Sequence, residues 1–181
     1  MKKVTLLLMI FLAIATTSCN VQEKEKKNIY SLEKTMVDKK GVLNETSAGT
    51  LIEAYLDYAK KYPKDEISPD FLFKAVDISF AYNALNPQKT INIINVLIEN
   101  YPDFEMSPMA MYIKGFVYEN QMGDYENALE TYHQFLEKYP DNPMAADVQS
   151  TINNLGIFQG IDDMSPKHFR NLPSDSHKRN P

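Results

Sequence analysis

The sequence has no tryptophan, a single cysteine and only 6 glycines among its 181 residues. One cysteine excludes an intramolecular disulfide, and the absence of Cys-x-x-Cys or paired-histidine spacing leaves no recognisable zinc site. Neither positive nor negative charge dominates: the chain has 24 acidic and 19 basic side chains, for a formal net charge of −5. With 44% hydrophobic residues, this is the composition of one modest globular domain, which excludes wholesale disorder.

Motifs for catalysis are also missing. His133, His168 and His177 lack the i, i+4 spacing of a metal site, and no cysteine or aspartate is placed beside them for a triad. The sequence contains no Gly-x-Ser-x-Gly nucleophile turn and no glycine-rich phosphate loop. We therefore predict a protein that is not an enzyme and that needs neither a metal nor another cofactor.

The first residues have the pattern of a secretory signal. Lys2 and Lys3 precede an apolar run from Val4 to Ala15, and small residues lead from there to Cys19. The 12 residues of this run would rise about 18 Å as a helix, well short of the roughly 30 Å hydrocarbon core of a bilayer. We predict a cleaved signal peptide over residues 1–18 and no permanent transmembrane span.

The position of Cys19 directly after the apolar run, with small Ser18 before it, resembles the lipobox of bacterial lipoproteins. The resemblance implies that Cys19 becomes the diacylated, N-acylated first residue of the mature chain, although Thr16 stands where Leu or Val is usual. Asn20 then implies an outer-membrane lipoprotein, with a periplasmic orientation favoured over the cell surface. The alternative is ordinary cleavage after residues 13–15, which would leave Cys19 as an unpaired thiol.

The segment after the cysteine looks solvated. A charged run over residues 22–27 precedes a weak amphipathic stretch with Ile29, Leu32 and Met36 at helical spacing. The sequence therefore predicts that residues 19–46 are the lipidated cysteine and a flexible tether with one short helix. We interpret the charged run as a source of solubility, with contact to lipid or to the export machinery as the alternative.

A repeat occupies the middle of the chain. Tyr-Pro recurs at 62–63, 101–102 and 139–140, with periods of 39 and 38 residues, which is typical of helical-hairpin arrays. Each pair closes a run with apolar residues at helical spacing, and the three runs superimpose. The matched columns are Leu51, Tyr55, Tyr58 and Tyr62; Thr90, Ile94, Leu97 and Tyr101; and Ala128, Tyr132, Phe135 and Tyr139. The repeat domain is predicted over residues 47–156.

Each Tyr-Pro is followed by a dipeptide that can begin a helix. Ser68, Ser107 and Asn142 each precede a proline, and such side chains can accept from the orphan N–H groups of a first turn, while proline has no N–H to lose. Asn86 precedes a proline in the same way. The predicted helices cover 47–62, 68–84, 87–101, 107–121, 125–139 and 143–155.

The stretch Gly123-Asp124-Tyr125-x-x-Ala128 is followed by Tyr132, Phe135 and Pro140 at +4, +7 and +12 from the alanine. This pattern resembles the second helix of a tetratricopeptide repeat, and the resemblance extends over residues 47–156, most strongly over 107–140. It implies an all-α fold of antiparallel helical hairpins, stacked as a short right-handed solenoid. In layout the chain is similar to tetratricopeptide lipoproteins of Gram-negative envelopes, including the one that helps assemble outer-membrane β-barrels.

The family pattern also implies a close contact between Gly115 and Ala128 in the last hairpin. The family period is 34 residues, so the period of 38 leaves an excess to place. We predict three extra residues between the helices and one near Met122.

In this family the concave face is lined by first-helix side chains. The positions that match are half aromatic and half acidic, which suits a basic or amphipathic peptide, because aromatic rings anchor and carboxylates steer. An equally open alternative is that the aromatic residues are core. The candidate partner-binding residues are Phe73, Asp77, Tyr112, Phe116, Glu119 and Asp147.

Charge narrows the class of partner. Residues 47–156 carry 16 acidic and 7 basic side chains, which disfavours nucleic acid. We predict a protein-interaction adaptor of the cell envelope that binds a protein or peptide, with capture of a glycan or nutrient as the alternative. Residues 157–181 are predicted to be one short helical turn followed by a disordered tail. Neither the identity of the partner nor the oligomeric state follows from the sequence.

Overall fold

The computed structural model describes residues 20–37, 44–82 and 86–159, and every regular element in these ranges is a helix. Helix α1 covers residues 20–33. The other helices are α2 (Glu45–Lys61), α3 (Ser68–Ala81), α4 (Pro87–Asn100), α5 (Ser107–Phe116) with its π-helical continuation (Val117–Met122), α6 (Tyr125–Lys138) and α7 (Ala145–Gln159). The predicted all-α fold of tetratricopeptide-like helical hairpins is confirmed.

The chain divides into two compact units, Met1–Ile78 and Ser79–Pro181. The predicted signal peptide, the predicted lipidation site Cys19 and the part of the predicted tail beyond residue 159 lie outside the described residues.

The turn after each Tyr-Pro pair has the same backbone hydrogen bonds. Tyr62, Tyr101 and Tyr139 each end a helix at φ between −134° and −125°, and each donates its N–H to the carbonyl four residues earlier. The carbonyl of each tyrosine accepts the N–H of residue i+3 at 3.0–3.1 Å. The next helix begins six residues after the tyrosine in every case. The repeat seen in the sequence is therefore also a repeat of backbone geometry.

Two of the predicted helix caps have a different role. Ser68 and Ser107 are fully buried, and their hydroxyls donate to the carbonyls of Tyr62 and Tyr101 at 2.7 and 2.8 Å. They close the turn before the helix instead of accepting from the first helical N–H groups. Asn86 does act as predicted, because its side chain accepts the N–H of Gln88 at 2.8 Å.

Helix α7 begins at Ala145, two residues after the predicted start at Pro143. Asn142 accepts the Met144 N–H at 3.0 Å inside the turn, as Asp65 accepts the N–H of Ile67 at 3.1 Å in the first turn. Asn and Asp favour such local hydrogen bonds in turns as well as at helix caps. All three turns have the same length, so the three extra residues predicted between the helices do not distinguish the turn after Tyr101 from the turn after Tyr139.

One residue of the excess over the family period lies within the first helix of the last hairpin. After Phe116 the helix continues as a π-helix to Met122, and Gly123 then takes a left-handed conformation with φ 63° and ψ 22°. A π turn holds one residue more than an α turn, so it accommodates an inserted residue without breaking the helix. The single extra residue predicted near Met122 is found here.

Helix α1 packs on the first unit, where the sequence predicts a flexible tether. Ile29 is only 3% exposed, and the Tyr30 ring meets Phe71 edge-on at a centroid distance of 6.1 Å. The Phe71 ring also packs on Tyr55 and Tyr58, at 5.1 and 5.0 Å. Residues 20–33 are therefore part of the folded unit, and the prediction of a tether is wrong for them.

A polar cluster holds the N-terminal half of α1. Lys26 lies 3.0 Å from Asp65, Gln22 donates to the Tyr58 hydroxyl at 3.1 Å, and that hydroxyl donates to Asp65 at 2.6 Å. Burial raises the pKa of Asp65, but hydrogen bonds from Tyr58 and the Ile67 N–H, together with the Lys26 ammonium, outweigh burial and lower it to about 2. Asp65 is thus a partly buried carboxylate that Tyr58, the Ile67 N–H and the α1 lysine together hold in its ionised form.

The C-terminal end of α1 is held by Glu33. Its Oε1 accepts hydrogen bonds from the Tyr55 hydroxyl and from the Lys74 ammonium, each at 2.7 Å. Burial and the Glu33 carboxylate both raise the pKa of Tyr55, so its hydroxyl remains a donor. Glu33 therefore connects α1 to both α2 and α3.

In the second unit, α5, α6 and α7 share one core. Its buried members are Met111, Ala128, Leu129, Tyr132, Phe135, Val148, Ile152 and Leu155. The α6 members are spaced at i, i+3 or i+4, which puts them on one side of that helix. Within the described ranges, no helix combines the length and the apolar character that crossing a membrane requires.

Candidate partner-binding face

The last hairpin has a close contact at Gly115. A Cβ atom at this position would lie 2.3 Å from Cε1 of Tyr132, so a side chain there would collide with the ring. The resemblance predicts Ala128 as the partner, but the nearest atoms belong to Tyr132, one turn further along α6.

Tyr132 is the centre of this hairpin. It is fully buried, its ring lies 5.8 Å from that of Tyr112, and its hydroxyl donates to Oε2 of Glu119 at 3.0 Å. Burial and the Glu119 carboxylate raise the pKa of Tyr132, so the hydroxyl stays protonated and donates. Glu119 was a candidate for steering a partner, but its carboxylate accepts from Tyr132 and so joins the two helices.

An apolar strip remains partly exposed on α5. Met109, Tyr112 and Phe116 are each half-buried, and their i, i+3, i+7 spacing puts them on one face of the helix. We call these three residues the α5 strip. The Phe116 ring packs edge-on against Phe80 at 5.6 Å, so this residue contributes to the core while part of it stays accessible. The contact with Phe80 supports the core alternative for Phe116, and partner binding by its accessible part stays a prediction.

The remaining candidates are distributed over both units. In the first unit, Phe73 is half-buried and Asp77 is exposed on α3. In the second unit, Asp147 is exposed in the first turn of α7, and its backbone carbonyl accepts the Thr151 hydroxyl at 3.1 Å. Asp77 and Asp147 are therefore the two predicted acidic candidates whose side chains face solvent.

The turn residues of the repeat pattern have clear local roles. Gly123 supplies the left-handed backbone after the π-helix, and the Asp124 side chain accepts the N–H of Asn127 at 3.2 Å to cap α6. Tyr125 is the first residue of α6 and lies partly buried against the core, and Pro140 lies in the exposed turn after that helix. These residues set the turn between α5 and α6 and the two ends of α6, and the accessible face of the hairpin lies on α5.

Helices α1 and α2 form a hairpin that was not predicted from the sequence. Tyr55 and Tyr132 occupy the same column of the repeat, and each donates its hydroxyl to a glutamate on the helix before it, Glu33 or Glu119. Helix α1 is therefore the first helix of the first repeat. The signal available in the sequence was the first Tyr-Pro, because it closes a second helix, which needs a first helix upstream.

Metal chemistry finds no support in the part of the chain that the structure describes. There, no group of three or more histidine, cysteine, aspartate or glutamate side chains is placed to hold a metal ion.

Residues 109–142 match the tetratricopeptide repeat family. The match begins in α5, includes the Gly123 turn and the whole of α6, and ends in the turn that follows. No curated protein matches the chain. The chain therefore contains a tetratricopeptide repeat, a helical module that commonly binds protein partners and is typically non-catalytic.

Proposed function

We propose that the protein is a protein-binding adaptor of the cell envelope, anchored to the membrane by a lipid on Cys19. The observation that carries the binding function is the tetratricopeptide match, which covers the hairpin that leaves the α5 strip half-exposed. Rigid half-exposed aromatic side chains are common anchors for a partner, because they bury a large area at a small entropic cost.

The anchor and its address are supported by the first twenty residues. A basic start, a short apolar run and a lone cysteine directly after it fit lipidation, and Asn20 fits the outer membrane. On this basis the protein faces the periplasm, and its partner belongs to envelope assembly, with the outer-membrane β-barrel machinery as the partner class that the resemblance favours. Three acyl chains exceed the two signals that stable membrane binding needs.

Membrane fractionation tests the anchor. Cys19→Ala should move the protein from the membrane fraction to the soluble fraction without changing its helical circular dichroism. A Cys19→Ala chain that stays in the membrane fraction after a high-salt wash would contradict lipid anchoring.

Site-specific photo-crosslinking tests the binding face. A benzophenone amino acid at Met109 should form adducts with a protein partner in intact cells, whereas the same probe at Gln134, which is exposed on α6, should form few. Both positions tolerate a large side chain, because Met109 is half-buried at the surface and Gln134 faces solvent. Adducts of equal yield at the two positions would mean that the α5 strip does not define the interface.

A charge reversal tests the acidic part of the interface. Asp147→Lys should weaken the Met109 adduct if the partner is basic, because the Asp147 carboxylate is exposed and lies in the same unit as Met109. The control is Glu137→Lys, which makes the same change of net charge at another exposed position of that unit. Equal loss of adduct in both variants would point to net charge and not to Asp147.

A further inference from the structure

The outward side of α1 carries basic side chains. Lys24 and Lys27 are exposed on the helix, and Lys34 is exposed directly after its end. We call these three residues the lysine face. Their spacing of three and seven residues is close to whole helical turns, so they lie on one side of the helix, opposite to the buried Ile29.

The acidic residues of α1 do not neutralise this face. Glu25 pairs with Lys61 on α2, and Glu33 pairs with Lys74 on α3, so both carboxylates are matched by lysines of the neighbouring helices. Glu23 pairs within α1 itself, where it lies 3.3 Å from Lys26, which also binds Asp65. The carboxylates of α1 therefore pair with lysines other than Lys24, Lys27 and Lys34, and the outward side of the helix keeps an excess of positive charge.

The place of α1 in the chain suggests what this face meets. The helix already includes residue 20, which directly follows the proposed site of lipid attachment, so no long tether separates a lipid anchor from it. Charges act over about 8 Å at physiological salt, and Lys24 lies about 6 Å along the helix from residue 20, so it is within reach of the headgroups in any orientation. Lys27 and Lys34 are within reach when the helix lies along the membrane surface. Val21 and Tyr30 flank the lysine face and are exposed by 47% and 37%, and tyrosine is favoured at membrane interfaces.

We propose that the lysine face of α1 contacts the anionic headgroups of the membrane to which the protein is anchored, so that the first repeat lies directly on the bilayer. The inference rests on the lipid anchor proposed above. Most of the chain is acidic and would be repelled by such a surface, so the lysine face also sets which side of the first unit is turned toward the lipid.

Amine labelling of the lipidated full-length protein in vesicles tests this contact within one molecule. Acetylation rates are read by mass spectrometry at Lys24, Lys27 and Lys34, and compared with those at Lys60, Lys64 and Lys89, which are exposed elsewhere. On vesicles with phosphatidylglycerol, the lysine face should react about fivefold more slowly than on phosphatidylcholine, the factor that corresponds to about 1 kcal/mol per lysine near an anionic surface. The three reference lysines should react equally in both lipids, and high salt should remove the difference.

Two results would overturn the proposal: equal rates at the lysine face in both lipids, or equal slowing at all six lysines. If the lysine face binds another envelope protein and not anionic lipid, its acetylation rates should be equal on the two kinds of vesicle, because that protein is absent from both. Replacing Lys24, Lys27 and Lys34 by glutamine should loosen the contact, measured as faster modification of Tyr30 by a soluble tyrosine reagent, with Lys60, Lys64 and Lys89 replaced as the control. Failure of the anchor is separate, because a chain without lipid would stay in the supernatant with either kind of vesicle.

Discussion

Replacing Asp65 by asparagine should release α1 from the first unit. The carboxylate binds the Lys26 ammonium at 3.0 Å and accepts from the Tyr58 hydroxyl at 2.6 Å, and its side chain is only 13% exposed. A pKa lowered from 3.8 to about 2 means that folding favours the ionised form by about 2 kcal/mol. Asparagine keeps the size of the side chain but loses the charge, so most of this stabilisation should disappear.

The same carboxylate predicts a dependence on pH. Because its pKa is lower in the folded protein than in the unfolded chain, the stabilisation is fully present above about pH 4. It is lost as the pH falls from there through about 2, where Asp65 becomes protonated in the folded state as well. Urea unfolding of the wild-type protein should therefore show a steeper loss of stability below pH 4 than that of Asp65→Asn.

Hydrogen exchange measures the release of α1 directly. At pH 7, exchange of the α1 amides in Asp65→Asn should rise about fivefold, which corresponds to about 1 kcal/mol for the lost charge pair with Lys26 when the helix opens as a unit. Amides of α5 to α7, in the other unit, should not change. Asp57→Asn is the control, because Asp57 is exposed on α2. Unchanged α1 exchange in Asp65→Asn, or an equal rise in Asp57→Asn, would refute the role assigned to Asp65.

Three further predictions concern the hairpins. Gly115→Ala should lower the free energy of unfolding by roughly 1 to 3 kcal/mol, because the new Cβ would lie 2.3 Å from the Tyr132 ring. Gly49→Ala is the control: a Cβ there has no atom within 4 Å, so this change should raise the free energy of unfolding by up to about 1 kcal/mol. Equal effects of the two substitutions would contradict the Gly115–Tyr132 contact. Glu119→Lys should lower the melting temperature by leaving the buried Tyr132 hydroxyl without its acceptor, while the exposed Asp77→Lys should leave it unchanged. Tyr132→Phe should cost about 1 kcal/mol in chemical unfolding, and no cost would show that the hydrogen bond to Glu119 is dispensable.

The positions of the helices were predictable because burial leaves a periodic trace. The three superimposed columns that end in Tyr62, Tyr101 and Tyr139 gave helices within one or two residues of those observed. Cap chemistry was less informative, since a serine or an asparagine before a proline has more than one use. Ser107 closes a turn by donating to a carbonyl, and Asn142 accepts within a turn, yet both fit the pattern of a helix cap.

Helix α1 was hidden because polar contacts hold much of it. Only Ile29 is fully buried among its described residues, which is too weak a signal for a periodic pattern. Its charged residues resemble a solvated run, and their partners lie far away in the chain: Asp65 is 43 residues from Gln22, and Lys61 is 36 residues from Glu25. A sequence read in short windows cannot distinguish a charge that pairs at this separation from one that faces water.

The two glutamate–tyrosine pairs explain why the missing helix was needed. A tyrosine buried in the second helix of a hairpin requires an acceptor, because a buried hydroxyl without one costs free energy. Tyr132 finds Glu119 on the helix before it, and Tyr55 finds Glu33 in the same way, whereas the middle repeat has Ile94 in this column and needs no acid. The Tyr132–Glu119 pair alone indicates that a tyrosine in that column needs an acceptor on a preceding helix. Applied to Tyr55, it places a helix upstream of α2, and the stretch assigned to a tether supplies that helix with Glu33.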